Sequence, residues 1–353
     1  MIKTLTALAI AAFAFVGTGQ AALAASDPIS VPAGEGRVPD AADFGPHNAG
    51  GTGYSEAWSY QFFFDSGAEA RFEMNRAKIG SVVGDVSGVY MALVGIGGKN
   101  HDIRKQYEYG DLRYDAGSGR LAIKEVAVVD GALPGQHRIR FGAGKNGTQY
   151  ELDFHFSDIA PGVVWGDGVF GIGDEKVALF LHIPRARVEG TITIDGVETR
   201  VTGTAFMDHS YQTDFAPKMA RAAYRVVQHD GDSAEGGVFI VPQDASGGEV
   251  IGYGFSSTAR STQLRKPTEL VVMSDGRVGG ARMPRQFVAR FQSGEPLIAN
   301  REGQRHTSNA LDELGGLQRR LARGFLGGEV VTVIARGQRN VGGELYLTLT
   351  AVK

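Results

Sequence analysis

The chain of 353 residues contains no cysteine. Disulfides, thiol nucleophiles and thiolate metal sites are excluded with it. Long apolar runs are missing too: the stretch from Leu5 to Val16 is 12 residues, short of the roughly 20 that a membrane-spanning helix needs. It follows Lys3 and leads into the small residues Ala22-Leu23-Ala24, the order of an export signal. Residues 1–24 are therefore expected to be a signal peptide, cleaved near Ala24, and the mature protein to be periplasmic or secreted. Neither sign of charge dominates, with 36 Lys and Arg against 39 Asp and Glu, which leaves no field to hold nucleic acid. Three catalytic signatures are absent as well: the Gly-Lys-Ser/Thr phosphate loop, the Gly-x-Ser-x-Gly elbow and His-Glu-x-x-His.

What the sequence has in excess is glycine, 51 residues, about twice the usual ~7%. The glycines carry no fixed period and lie between short runs of alternating apolar and polar residues, such as Ala70-Arg71-Phe72-Glu73-Met74 and Tyr150 to Phe156. Period two with one wet face marks antiparallel strands. Asp195-Gly196 between Thr191–Ile194 and Val197–Val201 predicts a tight hairpin, and Asp275-Gly276 after Leu270–Met273 predicts another. Residues 25–52 are rich in Pro, Gly and Ala and read as a linker or an arm laid over the domain, with no core of its own.

One segment has helical spacing: Leu311, Leu314, Leu317, Leu321 and Phe325, with Asp312 and Glu313 early and Arg319, Arg320 and Arg323 late. The charges suit a helix dipole, and the stripe is expected to pack on a barrel wall, in preference to touching a membrane. The fold class expected is all-β: many short strands with one short helix in the C-terminal half indicate barrels or sandwiches, in a chain long enough for two domains.

Several motifs bear on chemistry. Gly166 to Gly171 matches Gly-x-Gly-x-x-Gly, yet a strand-like run follows where a dinucleotide site needs a helix. Trp58, Tyr60, Phe62 and Phe64 alternate in one strand, so all four face one side, either as the lining of a ligand chamber or as a packed aromatic core. Arg185 and Arg187 flank Ala186 and share a face suited to a carboxylate or phosphate headgroup, or to the bare surface. Asp208, His209 and Tyr211 lie in the densest polar cluster, which suits proton transfer, a metal completed by Asp214 or a distant His, or an ordinary turn.

The stretch from Leu181 to Asp214, preceded by Glu56 to Phe64, resembles the fungal survival-factor proteins and their AttH-like and carotenoid 1,2-hydratase-like relatives. Pro184-Arg185, Glu189-Gly190 and Gly203 to Asp208-His209 carry the likeness. The resemblance implies two tandem lipocalin-like antiparallel β-barrels, at 53–205 and 206–353, and an apolar ligand, sphingolipid-like or isoprenoid. The chain departs from the hydratase-like branches at Ala57-Trp58-Ser59-Tyr60, where those tend to have Trp-Trp-Tyr.

The function expected is an exported binding or carrier protein for a hydrophobic small molecule or lipid, with Trp58, Tyr60, Phe62, Phe64, Arg185, Arg187 and Tyr211 at the ligand. The first alternative is a hydratase, cyclase or isomerase acting on an isoprenoid or polyene, with Asp208 as the acid and His209 beside it. The second is an envelope structural or interaction protein. No cofactor and no metal is called for, nucleic acid is not a partner, and contact with a membrane surface is at most transient.

Overall fold

Alternating sequence becomes strand almost throughout the computed structural model, which describes residues 29–80, 84–131, 133, 135–312, 314–326, 328–339 and 342–353. The signal peptide expected at 1–24 lies outside these residues. So do Glu313 and the side chains of Leu317 and Phe325.

Two large antiparallel sheets make up most of the described structure, beside a two-stranded sheet that pairs Gly36–Arg37 with Val164–Trp165. The first has 13 strands; its main path runs from Lys99–Glu108 through Asp85–Ile96, Glu69–Lys78, Ser55–Phe64, Val197–Gln212, Glu175–Ile194, Thr148–Ser157 and His137–Lys145 to three short strands ending at Leu112–Asp115. It curls into a nearly closed barrel. The second has nine strands between Ala220 and Val352 and forms a half-barrel, with Glu344–Val352 paired to Ala220–Asp230. Three short α-helices complete the described structure.

Each large sheet encloses its own apolar cluster, and a third joins them. Phe63, Leu179, Leu181 and Phe206, on the outer side of the first barrel, pack with Ala223, Val227, Val238, Ile240, Tyr253 and Phe255 of the second sheet. The shared wall is therefore buried on both faces along Ser55–Phe64, the second half of Val197–Gln212 and the first half of Glu175–Ile194, while Val197 to Arg200 is exposed.

The Asp195-Gly196 hairpin forms as expected, with both residues at positive φ (49° and 80°). The second expected hairpin does not. Asp275 and Gly276 stay inside the strand Pro267–Val278, where the pairing register shifts on both sides of Ser274, and the chain reverses at Gly279-Gly280 instead. Two adjacent glycines supply both positive φ angles that the turn demands, so the Asp-Gly pair is left to an irregularity in the strand.

The expected helical stripe is also divided. Leu311 and Leu314 are buried, but they precede the helix Gly316–Leu326, and Leu321 within it is 66% exposed while Ala322 is buried. The leucine spacing thus spans a turn and a helix whose buried face is set elsewhere. The arm is corrected in one respect: it does contribute core. Phe44 is buried, and Asp40 caps the short helix Ala41–Phe44 that closes one end of the first barrel.

Glu175–Ile194 carries two irregularities against its neighbour, between Leu181 and Ile183 and between Ile183 and Ala186. Pro184, which has no N–H to donate, sits in the second, where a ladder bond is lost anyway. The first leaves His182 as the extra residue. Such bulges re-aim side chains, and here His182 and Ile183 both reach the inner side, in contact with Phe44 and with the barrel core respectively.

Two glycines of the central motif are required by close approach. A Cβ at Gly190 would lie 2.0 Å from the Asp153 carbonyl oxygen, and one at Gly203 2.2 Å from that of Phe63.

Candidate functional site

Strand alternation sends Trp58, Tyr60, Phe62 and Phe64 to the inner face of the first barrel, all essentially buried. Tyr60, Phe62 and Phe64 form a ladder of nearly parallel rings 6.2–6.4 Å apart. Phe62 reaches Phe154, at 4.7 Å, over the paired alanines Ala205 and Ala186. Small residues on the two intervening strands make that contact possible.

Asp208 and His209 are neighbours on one strand and so face opposite ways. Asp208 leaves the first barrel altogether: its carboxylate takes three hydrogen bonds of 2.8–3.0 Å from Nε and Nη2 of Arg225, with both side chains buried between the two sheets. Both carboxylate oxygens are acceptors of the guanidinium, and neither faces the inside of the first barrel. Arg185 lies on the same outer side, buried, with Nη2 3.2 Å from Asp232. Arg187 is exposed. Neither arginine points at the aromatic ladder.

His209 turns inward. It stands directly across from Trp58 in the pairing of the two strands, and the rings stack 4.5 Å apart. Its Nδ1 meets the Asp43 carbonyl at 2.8 Å and its Nε2 meets Glu56 Oε1 at 3.0 Å. Tyr211, two residues on, lies 4.8 Å from the His47 ring. The sequence candidates therefore divide: Trp58, Tyr60, Phe62, Phe64, His209 and Tyr211 gather inside the first barrel, whereas Asp208, Arg185 and Arg187 lie outside it.

Glu56 is the hub of the capped end. Its Oε1 accepts from the His47 backbone N–H (2.8 Å) and faces His47 Nδ1 (3.0 Å) and His209 Nε2; its Oε2 accepts from Arg76 Nε (2.6 Å) and the Tyr54 hydroxyl (2.8 Å). Burial alone would raise this carboxyl, but the hydrogen bonds from His209 and His47 and the nearby positive charges hold it far below the ordinary carboxylate range. The arm is tied down beside it by an Arg37–Asp43 pair at 2.6–2.7 Å, and the Trp58 indole donates to the Phe44 carbonyl at 2.7 Å.

Above this hub lie two more imidazoles. Burial, with His209 nearby, lowers His182 to about 3, and burial lowers His137 to about 4, so both are neutral at physiological pH. His137 Nε2 is 2.9 Å from the Tyr60 hydroxyl. His182 Nε2 is buried and makes no hydrogen bond among the described residues. Unsatisfied buried polar atoms are uncommon in folded proteins.

Sequence reasoning missed Glu56, His182, His137 and the arm residues His47 and Asp43. Glu56 was within reach, since it continues the inward alternation of Trp58 and Tyr60 by one step. His182 was too, since it continues the inward alternation of Phe180, and the bulge re-aims Ile183 behind it. Two open clefts of about 380 and 500 Å³ lie away from these groups. The larger is lined by Trp165, Lys266 and arm residues, the smaller by Gln228, Glu235 and Arg339 among others.

No protein-family model and no curated protein matches the chain. Solved structures do. A protein from Nitrosomonas europaea described as a putative AttH matches 91% of this chain and 99% of its own, at 17% identity and a TM-score of 0.63. CghA, solved with Sch210972, matches 85% of this chain and 89% of its own, at 14% identity and a TM-score of 0.56. These likenesses place the chain in the lipocalin-like barrel fold.

Proposed function

We propose that this is an exported binding protein whose first barrel receives a hydrophobic small molecule against the Tyr60–Phe62–Phe64 ladder, with the molecule's polar end at His182. The observation that carries the reading is the His182 Nε2, a buried nitrogen with no hydrogen bond among the described residues, on a ring packed against Phe44, Phe180 and His209. A ligand hydroxyl or carbonyl would give it the hydrogen bond it lacks, worth a net ~1 kcal/mol or more, while the rings take the apolar body at about 25 cal/mol per Å² buried. That one fold neighbour was solved with a small molecule, Sch210972, fits the reading.

The expected result is a stoichiometric apolar compound in organic extracts of the protein purified without detergent, identified by mass spectrometry. His182→Leu should weaken rebinding of that compound about tenfold and leave an analogue lacking the polar end unaffected. An empty extract, together with failure to bind acyl or polyene probes, would sink the proposal.

A hydratase, cyclase or isomerase is the second reading. What favours it is a pair of neutral imidazoles that both pack on Phe44: His137, 2.9 Å from the Tyr60 hydroxyl, and His182. Proton transfer would fall to these groups rather than to Asp208, whose carboxylate Arg225 holds on the far side of the wall.

A further inference from the structure

We propose that His47 Nδ1, Glu56 Oε1 and His209 Nε2 form a site for one divalent transition-metal ion of the zinc class. The site is built from the arm and two neighbouring barrel strands, and it is independent of whether the barrel holds a ligand.

The donor atoms already stand where a metal would gather them. All three lie within 4.8 Å of one another, and both imidazole nitrogens are 3.0 Å from the same carboxylate oxygen. Metal–ligand bonds of 2.0–2.1 Å in tetrahedral geometry imply donor separations of roughly 3.3 Å. Each nitrogen has to draw back from Oε1 by a few tenths of an ångström while the two nitrogens, up to 4.8 Å apart, close on each other by up to about 1.5 Å, a movement open to the arm residue His47. Two imidazoles and one carboxylate are a donor set that suits zinc and its neighbours in the first transition row, and a poor one for magnesium or calcium, which favour all-oxygen shells.

The surroundings are those of a ligated site. Metal-binding histidines usually donate their second N–H to a carbonyl or carboxylate, which fixes the ring. His209 does so, with Nδ1 on the Asp43 carbonyl at 2.8 Å and its ring stacked on Trp58. The second oxygen of Glu56 is oriented by Arg76 and Tyr54, leaving Oε1 turned to the two imidazoles. His47 is stacked on Phe180, 5.2 Å away and nearly parallel. An entry path exists as well: Glu56 and His209 are fully buried, but the His47 side chain is 25% exposed and sits on the arm.

In the absence of metal the same three groups satisfy one another through hydrogen bonds, so the site does not need the ion to fold. An ion would displace the hydrogens that now bridge each imidazole to Glu56. Three protein ligands leave a fourth position for water or for the polar end of a bound molecule, the pattern that separates reactive zinc sites from closed structural ones.

The test is calorimetric titration of Zn²⁺ into the chelator-stripped full chain, with Co²⁺ as a spectroscopic substitute. The expected result is one ion per chain and Co²⁺ d–d bands of a nitrogen- and oxygen-ligated ion. His47→Ala, which alters a partly exposed side chain on the arm, should lower affinity by at least roughly 100-fold, the upper end of what losing a mere supporting group costs. His155→Ala, at an exposed position, should change nothing. Circular dichroism confirms that each variant is folded, so loss of binding is not loss of structure. Absence of stoichiometric binding in the unaltered chain, or equal binding by the His47→Ala variant, would overturn the proposal.

Discussion

Asp208→Asn should lower the unfolding free energy by about 3–5 kcal/mol, because it leaves the Arg225 guanidinium buried without its counter-charge. Both side chains are almost wholly enclosed between the two sheets, and the three hydrogen bonds between them run from one sheet to the other. The apolar cluster on either side excludes the water that would otherwise solvate a freed charge. Arg225→Met should cost a similar amount from the other direction. The double variant Asp208→Leu/Arg225→Met should recover most of the loss, since replacing a buried pair by apolar groups is often neutral or better. Urea unfolding of the four proteins reads the two losses and the recovery. Two single variants each within ~1 kcal/mol of the parent, the range of exposed pairs, would show that the pair is not what locks the sheets together. Because Asp208 faces away from the aromatic ladder, variants that still fold should keep their affinity for an apolar ligand.

Stability should fall steeply as pH drops from about 6.5 to 4. His182 and His229 are lowered to about 3 and His137 to about 4, in each case chiefly by burial, with His209 and Arg185 adding to the effect at His182 and His229 respectively. Their unfolded-state value is ~6.5. A folded-state pKa below the unfolded one means that the unfolded chain takes up protons the folded chain refuses. The stabilising contribution is therefore complete above pH ~6.5 and is lost as pH falls toward the folded values. With three such groups the slope approaches about 4 kcal/mol per pH unit. Asp43 and Asp102, whose carboxyls are held low by ion pairs and hydrogen bonds against the opposing pull of burial, carry the loss on below pH ~4. Urea midpoints followed from pH 7.5 to 4.5 should drop accordingly, and His137→Phe should flatten the curve by about one proton's worth. A midpoint unchanged between pH 7 and 5 would mean that these imidazoles are solvated.

The barrel architecture was legible because strands obey a period of two and turns obey residue chemistry. Trp58, Tyr60, Phe62 and Phe64 share a face for no deeper reason than alternation, and Asp195-Gly196 turns because its backbone can. The errors have a common source in tertiary partners. Asp208 looked like an acid beside an imidazole, but adjacent strand residues face opposite ways and its guanidinium arrives from another sheet. Ile183 acquires its inward direction from a bulge at Leu181–Ile183. Leu321 kept helical spacing with Leu314 although the helix begins between them. The arm looked coreless by composition, and a single short helix was enough to bring Phe44 and Asp43 onto the barrel end.

The central claim, that an apolar molecule lies along the inner wall of the first barrel, is tested most directly by contact quenching of tryptophan with a bromine-substituted fatty acid. The chain has two tryptophans: Trp58 on that inner wall and Trp165 in the outer cleft. In Trp165→Phe, where only Trp58 emits, the account predicts saturable quenching at one fatty acid per chain. Quenching confined to Trp165 in the Trp58→Phe variant, with Trp58 untouched, would contradict it and move the binding site to the outer cleft.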